Sequence, residues 1–324
     1  MPMIKPRFRA HLLLGALLAL LALVPAGALA ASGSAARAKA RHGAAHKIFG
    51  LGDQNTNSMY ANPLFKALHV QATRYVANWD VALHNGYRRQ RLDSWYAAAV
   101  RARVRPLLSF GGYELRRAPN VHQFGRAFQA ALRRWPKVAT WETWNEANHY
   151  TQPITFRHPE RAAAYAKVMR HICPRCQLLP LGIVLQGGAA SEDHWIAAWE
   201  RAYGGQPSVW AVNDYSDTNK MREVSLASFL RRHPRGDVWL TEVAAFAKFS
   251  VQFPWNLQRQ ARAVPEVIRA ALDFPTRVKR VYYYQWRGQR YGSRKVGWDT
   301  GLVTNKGRPR PAYYALLRWR RKLP

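Results

Sequence analysis

Acidic residues are scarce in this sequence: 18 Asp and Glu stand against 50 Lys and Arg among 324 residues, for a formal net charge of +32. A surface this basic directs attention to anionic partners, either nucleic acid or charged envelope polymers. The cations are spread along the whole chain, however, in helix-period stretches such as RAFQAALRRW and in RWRRK near the C-terminus. Scattered charge supports loose adhesion to polyanions and argues against a dedicated nucleic-acid site.

Cysteine is nearly absent. The two that occur, Cys173 and Cys176 in HICPRC, are too few for a zinc site, to which His171 would add only one ligand. In an exported chain they are expected to form a local structural disulfide; a redox role lacks any accompanying thioredoxin-like pattern. A Gly-rich phosphate loop, a metal-ligand cluster and a Ser-His-Asp order are also missing. No metal and no organic cofactor is expected.

Long apolar runs are confined to the start, and the run over residues 12–24 is shorter than the roughly 20 residues that cross hydrocarbon. Lys5, Arg7 and Arg9 precede it and Ala28-Leu29-Ala30 follow it. Residues 1–30 therefore read as a signal peptide cleaved after Ala30, with an uncleaved anchor as the rival, and the product is expected outside the cell or in its envelope. Residues 31–46, ASGSAARAKARHGAAH, read as a flexible basic lead-in. The folded domain is expected over 47–324.

What is plentiful is aromatic: 13 Trp and 15 Tyr, suited to a core and to flat binding faces. From Ile48 onward, short β-branched or apolar runs alternate with stretches of helical period. Strands are predicted over residues 48–52, 72–76, 105–110, 140–144, 178–183, 209–212, 238–241 and 280–284. Their starts lie between 24 and 42 residues apart, near the roughly 31 expected when about 250 residues are divided into eight βα units. Between them, HQFGRAFQAALRRW puts Phe124, Phe128, Ala131, Leu132 and Trp135 on one helical face. HPERAAAYAKVMRHI opens with Pro159 at a suitable first position. This is the pattern of a single-domain α/β protein, a (β/α)8 TIM barrel.

In such barrels chemistry happens at the C-terminal ends of the strands. The fourth predicted strand ends in Asn145-Glu146, the sixth in Asn213-Asp214-Tyr215, the seventh in Thr241-Glu242 and the eighth in Gln285-Trp286-Arg287; the second carries Arg74 and leads to Trp79-Asp80. Glu146 and Glu242 lie 96 residues apart, so both belong to one rim. Two carboxylates converging on a pocket are what cleavage of a glycosidic bond requires. Strand parity sets Glu142 one layer deeper, where a buried carboxylate needs a partner such as Arg74.

WETWNEAN and VWLTEVAAF, with YYYQWRG and GLVTNKGRPRPAYYAL further on, resemble the clan A glycoside hydrolases. These are retaining (β/α)8 enzymes that include family five cellulases and mannanases and family thirty-nine xylosidases. The resemblance covers nearly the whole chain after the lead-in. It implies a hydrolase acting without cofactor on a β-linked polysaccharide or glycoside, with Glu146 as general acid/base and Glu242 as nucleophile. It further implies that Arg74, Asn145, Tyr215 and Trp286 line the innermost sugar site; Trp79 offers a second flat face. The pattern differs in having Ala147 where the clan usually has Pro, and Asn213 where its sixth strand usually has His. The alternative is a barrel that binds carbohydrate or cell envelope without catalysis.

Overall fold

The structure, a computed structural model, describes residues 47–54, 58–112, 118–186, 189–289 and 297–324. The expected signal peptide and lead-in, residues 1–30 and 31–46, lie outside the described residues. The strands in chain order are β1 (Ile48–Gly52), β2 (Ala72–Asn78), β3 (Arg105–Gly111), β4 (Thr140–Glu142), β5 (Leu178–Leu179), β6 (Gly182–Val184), β7 (Val209–Asn213), β8 (Asp237–Val243), β9 (Lys248–Phe249), β10 (Val278–Tyr284) and β11 (Trp298–Asp299). Nine of these form one sheet in the order β5-β4-β3-β2-β1-β10-β8-β7-β6. Its pairings are parallel throughout.

The two ends of that sheet, β5 and β6, are halves of the single strand predicted over 178–183. Pro180 has no N–H to give a neighbour, so the ladder breaks there. The stave nevertheless stays in place: β5 pairs with β4 and β6 with β7, and Leu181 O accepts from Ala211 N at 3.2 Å. The result is a (β/α)8 barrel of eight staves. β9 and β11 form a separate antiparallel pair beyond the staves.

Helices cover the outside. The helix Val121–Arg134 starts with a capping box in which Asn120 and Gln123 satisfy each other's backbone N–H. It buries Phe124, Phe128 and Ala131 against the sheet. Pro159–Ile172 has its proline in the first turn, where the missing N–H costs nothing. Cys173 and Cys176 are bonded to each other just beyond that helix, with Cα atoms 5.4 Å apart. None of the described helices is long and apolar enough to cross a membrane.

The lumen is filled, not hollow. Ala72, Leu107, Leu179, Ala211, Trp239 and Tyr282 form an apolar plug from six staves. The Tyr282 ring is accommodated because β1 contributes a glycine: a Cβ on Gly50 would stand 2.2 Å from Tyr282 Cδ1. Side chains on a strand alternate with a period of two. Two residues beyond the plug are therefore Arg74, Ser109, Asn213, Thr241 and Tyr284, a mostly polar layer facing the C-terminal mouth.

Candidate active site

Arg74 is the hub of that layer and is 2% exposed. Its Nε donates to Glu142 Oε2 at 2.9 Å and its Nη2 to Glu142 Oε1 at 3.1 Å, a two-point ion pair. Nη1 donates to Glu242 Oε2 at 2.5 Å, and Nη2 also donates to Asn145 Oδ1 at 2.7 Å. Burial works against the Arg74 charge, but the carboxylates of Glu142 and Glu242 outweigh it and raise its pKa. Glu142 is fully buried, and burial raises its pKa despite Arg74. The carboxylate fits because the sixth strand segment begins with glycine: a Cβ on Gly182 would meet Glu142 Oε1 at 2.3 Å.

Glu242 reaches the cleft through an irregularity. Simple alternation from Trp239 would aim Thr241 inward and Glu242 outward. Against both neighbours, β8 carries one extra residue between Leu240 and Val243, a bulge that lets Thr241 and Glu242 both serve the site. Glu242 then accepts from Arg74 on Oε2 and from the Tyr215 hydroxyl on Oε1. Burial, with the nearby Glu242 carboxylate, pushes the Tyr215 phenol far above its usual range, so it remains a donor.

Glu146 lies on the other side of the mouth. β4 stops at Glu142, two residues short of its predicted end, and the chain turns. Trp144 points outward to pack on Phe124 and Tyr165, so the parity expected for residues 142, 144 and 146 does not hold. Glu146 is brought back to the cleft by a left-handed backbone, φ 48°. Its Oε1 accepts from Asn213 Nδ2 at 3.1 Å. Burial and then the field of Glu242 push its carboxyl up to about 7. Asn145 Oδ1 is occupied by Arg74 and Asn213, and Asn145 lines the cleft.

These groups open into a cleft of about 770 Å3. One wall is aromatic: Tyr215 stacks on Phe246 at 5.5 Å between ring centres, and Trp298 stands edge-on to Tyr215, Phe246 and Phe249 at 4.8, 4.7 and 5.3 Å. The β9–β11 pair holds this cluster together. His149, Gln152, Gln186 and Lys220 also line the cleft. No group of three His, Cys, Asp or Glu side chains suited to a metal ion occurs among the described residues.

Of the residues expected at the site, Glu146, Glu242, Arg74, Asn145 and Tyr215 come together. Two expected platforms do not join them. Trp286 is 1% exposed and packs edge-on against Phe65 and Tyr313, away from the cleft. β10 ends at Tyr284, and beyond it Trp286 O accepts from Leu302 N and Val303 N, which turns the indole into the core. Tyr284, two residues earlier, lines the cleft in its stead. Trp79 packs on Phe124 with ring centres 6.5 Å apart and is not among the described cleft residues. The loop acids are also structural: Asp53 accepts from Arg287 N, Asp80 pairs with His84, and Asp217 accepts from Ser225 N and Leu226 N.

The fold matches solved glycoside hydrolases. A family 39 glycoside hydrolase from the gut symbiont Bacteroides cellulosilyticus WH2 aligns over 86% of this chain and 64% of its own, at 15% identity and a TM-score of 0.58. A thermostable mutant of a xylanase from Cellvibrio japonicus aligns over 86% and 98%, at 12% identity and 0.63. Xylanase 10B from Thermotoga petrophila RKU-1, in complex with xylobiose, aligns over 86% and 94%, at 13% identity and 0.59. The chain thus spans under two thirds of the family 39 structure and nearly all of either xylanase. No protein-family model matches the sequence, and no curated protein matches it. The class defined is the (β/α)8 barrel that these hydrolases share.

Proposed function

We propose that the protein is an exported retaining hydrolase of β-linked glycans or glycosides. The observation that carries this reading is the unequal treatment of two glutamates across one cleft. Glu242 has a donor on each oxygen, Arg74 and Tyr215, as suits an anionic nucleophile. Among the described residues no Lys or Arg is bonded to Glu146, and its carboxyl is pushed up to about 7, as suits a proton donor at neutrality.

In this reading Glu242 attacks the anomeric carbon while Glu146 protonates the departing glycosidic oxygen, giving a glycosyl ester on Glu242. Glu146 then takes a proton from water as that water displaces Glu242. Asn145 Nδ2 donates to a sugar hydroxyl next to the scissile bond, and the aromatic wall carries sugar faces. Export is supported by the basic, apolar and small-residue order of residues 1–30. Loose association with anionic envelope polymers is supported by the net charge of +32.

The test is hydrolysis of a panel of aryl β-glycosides and β-glycans by wild type, Glu242→Gln and Glu146→Ala. Glu242→Gln should be inactive. Glu146→Ala should keep activity on dinitrophenyl glycosides, whose leaving group needs no proton, and azide should accelerate it with retained configuration. A wild type that binds glycans and turns over none of the panel would replace this reading with the non-catalytic binding barrel.

A further inference from the structure

Asn213 sits in a hydrogen-bond chain whose polarity is set from its Arg74 end. Arg74 has donors only, so the Asn145 atom it contacts at 2.7 Å is the amide oxygen. That oxygen demands a donor from its other neighbour, and Asn213 Nδ2 supplies it at 3.3 Å. At the opposite end, the Thr241 hydroxyl donates to Asn213 Oδ1 at 3.0 Å. Flipping the Asn213 amide would set its oxygen against both Asn145 Oδ1 and Glu146 Oε1. Its Nδ2 is thereby committed to Glu146 Oε1, at 3.1 Å.

Among the described residues, the other Glu146 oxygen has no such donor. Oε2 lies 4.0 Å from His149 Nδ1. That nitrogen is beyond hydrogen-bond reach of Oε2 and is engaged with Thr151 instead, 3.4 Å from its backbone N and 2.6 Å from its hydroxyl. An oxygen already accepting an N–H is the poorer place for a carboxyl proton, which leaves Oε2 to hold it.

We propose that Asn213, clamped by Thr241, is a positioning residue that makes Oε2 the proton-donating oxygen of Glu146. The inference rests on the proton-donor role given above to Glu146. The charged and titratable groups facing that carboxyl are Glu242 from β8, Arg74 from β2, Glu142 from β4, Tyr215 after β7 and His149 on its own turn. The Asn213 N–H, bonded to Oε1, favours the ionised form.

A 13C NMR titration of glutamate-labelled protein tests this without needing turnover, the Glu146 signal being assigned by its loss in Glu146→Gln. Asn213→Leu removes the donor and Thr241→Val removes the clamp. Both should raise the Glu146 pKa, the former by about 1 unit, and Asn213→His, which restores an N–H, should bring it back down. Circular dichroism melting identifies the variants that fold, and Thr241→Val remains informative if Asn213→Leu does not. In parallel, kcat/KM on alkyl glycosides should fall about tenfold more than on dinitrophenyl glycosides. An unchanged Glu146 titration in Asn213→Leu and Thr241→Val overturns the proposal even if the wild type is an active glycosidase. A shifted titration in a protein that hydrolyses no glycoside upholds the Asn213 bond to Glu146 and overturns the proton-donating role.

Discussion

Glu142, Glu146 and Glu242 show how one residue type is given three states by its neighbours. Glu142 is sealed against Gly182 and paired at two points with Arg74; Glu242 shares that arginine and gains a tyrosine; Glu146 has an amide and, among the described residues, no bonded Lys or Arg. The last arrangement has a thermodynamic signature. A carboxyl whose folded pKa lies near 7, above the unfolded value of roughly 4.3, penalises the fold only once the pH climbs through that window. Glu146→Gln should therefore leave stability unchanged below pH 4 and raise it by roughly 1–3 kcal/mol above pH 7. Urea denaturation at the two pH values measures this; equal effects at both would contradict it. In the wild type the same group should set the alkaline limb of kcat/KM near pH 7.

At the scale of elements, much of the site was legible because strands alternate and barrels put their chemistry at strand ends. All eight staves lie where apolar runs announced them, and the pairing of Arg74 with Glu142 answers the need to neutralise a buried carboxylate, although the parity used to expect it breaks after Glu142. What escaped were departures from regular alternation. The extra residue in β8 that turns Glu242 inward has no sequence mark, and neither does the left-handed residue that returns Glu146 to the cleft. The aromatic wall escaped for a related reason: β9 and β11 are two residues each, too short to register as strands, yet they bring Phe249 and Trp298 together.

Trp286 was expected at the site because the family resemblance implies a Trp there after the eighth strand, whereas beyond Tyr284 it is held in the core, its carbonyl accepting from Leu302 N and Val303 N. The two tryptophans should consequently behave in opposite ways. Trp286→Ala should cost about 3–5 kcal/mol of stability through the cavity it leaves. Trp298→Ala should weaken substrate binding, read as a raised KM, with roughly 1–2 kcal/mol lost per sugar contact. Thermal melting and steady-state kinetics on both variants separate these outcomes; a stability loss confined to Trp298→Ala would reverse the assignment.

For the whole molecule, charge and site are separate stories. Several acids are spent internally, with Glu142 and Glu242 on Arg74 and Asp299 on Arg310, and the sequence's net charge of +32 is expected to give the protein an Arg-rich shell. Such a shell should retain the protein on a polyanion resin at low salt and release it by roughly 0.5 M, where screening shortens the Debye length to about 4 Å. Neutral-glycoside turnover should be insensitive to that same salt step. If salt abolished both together, the basic shell would be part of the substrate site.

The central claim is that Glu242 becomes covalently glycosylated. Incubating the protein with a 2-deoxy-2-fluoro β-glycoside bearing a dinitrophenolate leaving group, followed by proteolysis and mass spectrometry of the peptides, tests it most directly. The account predicts one glycosyl adduct per chain, on the peptide containing Thr241-Glu242-Val243 and lost in Glu242→Gln. An adduct on another carboxylate, or turnover of unmodified glycosides with inversion at the anomeric carbon, would contradict it.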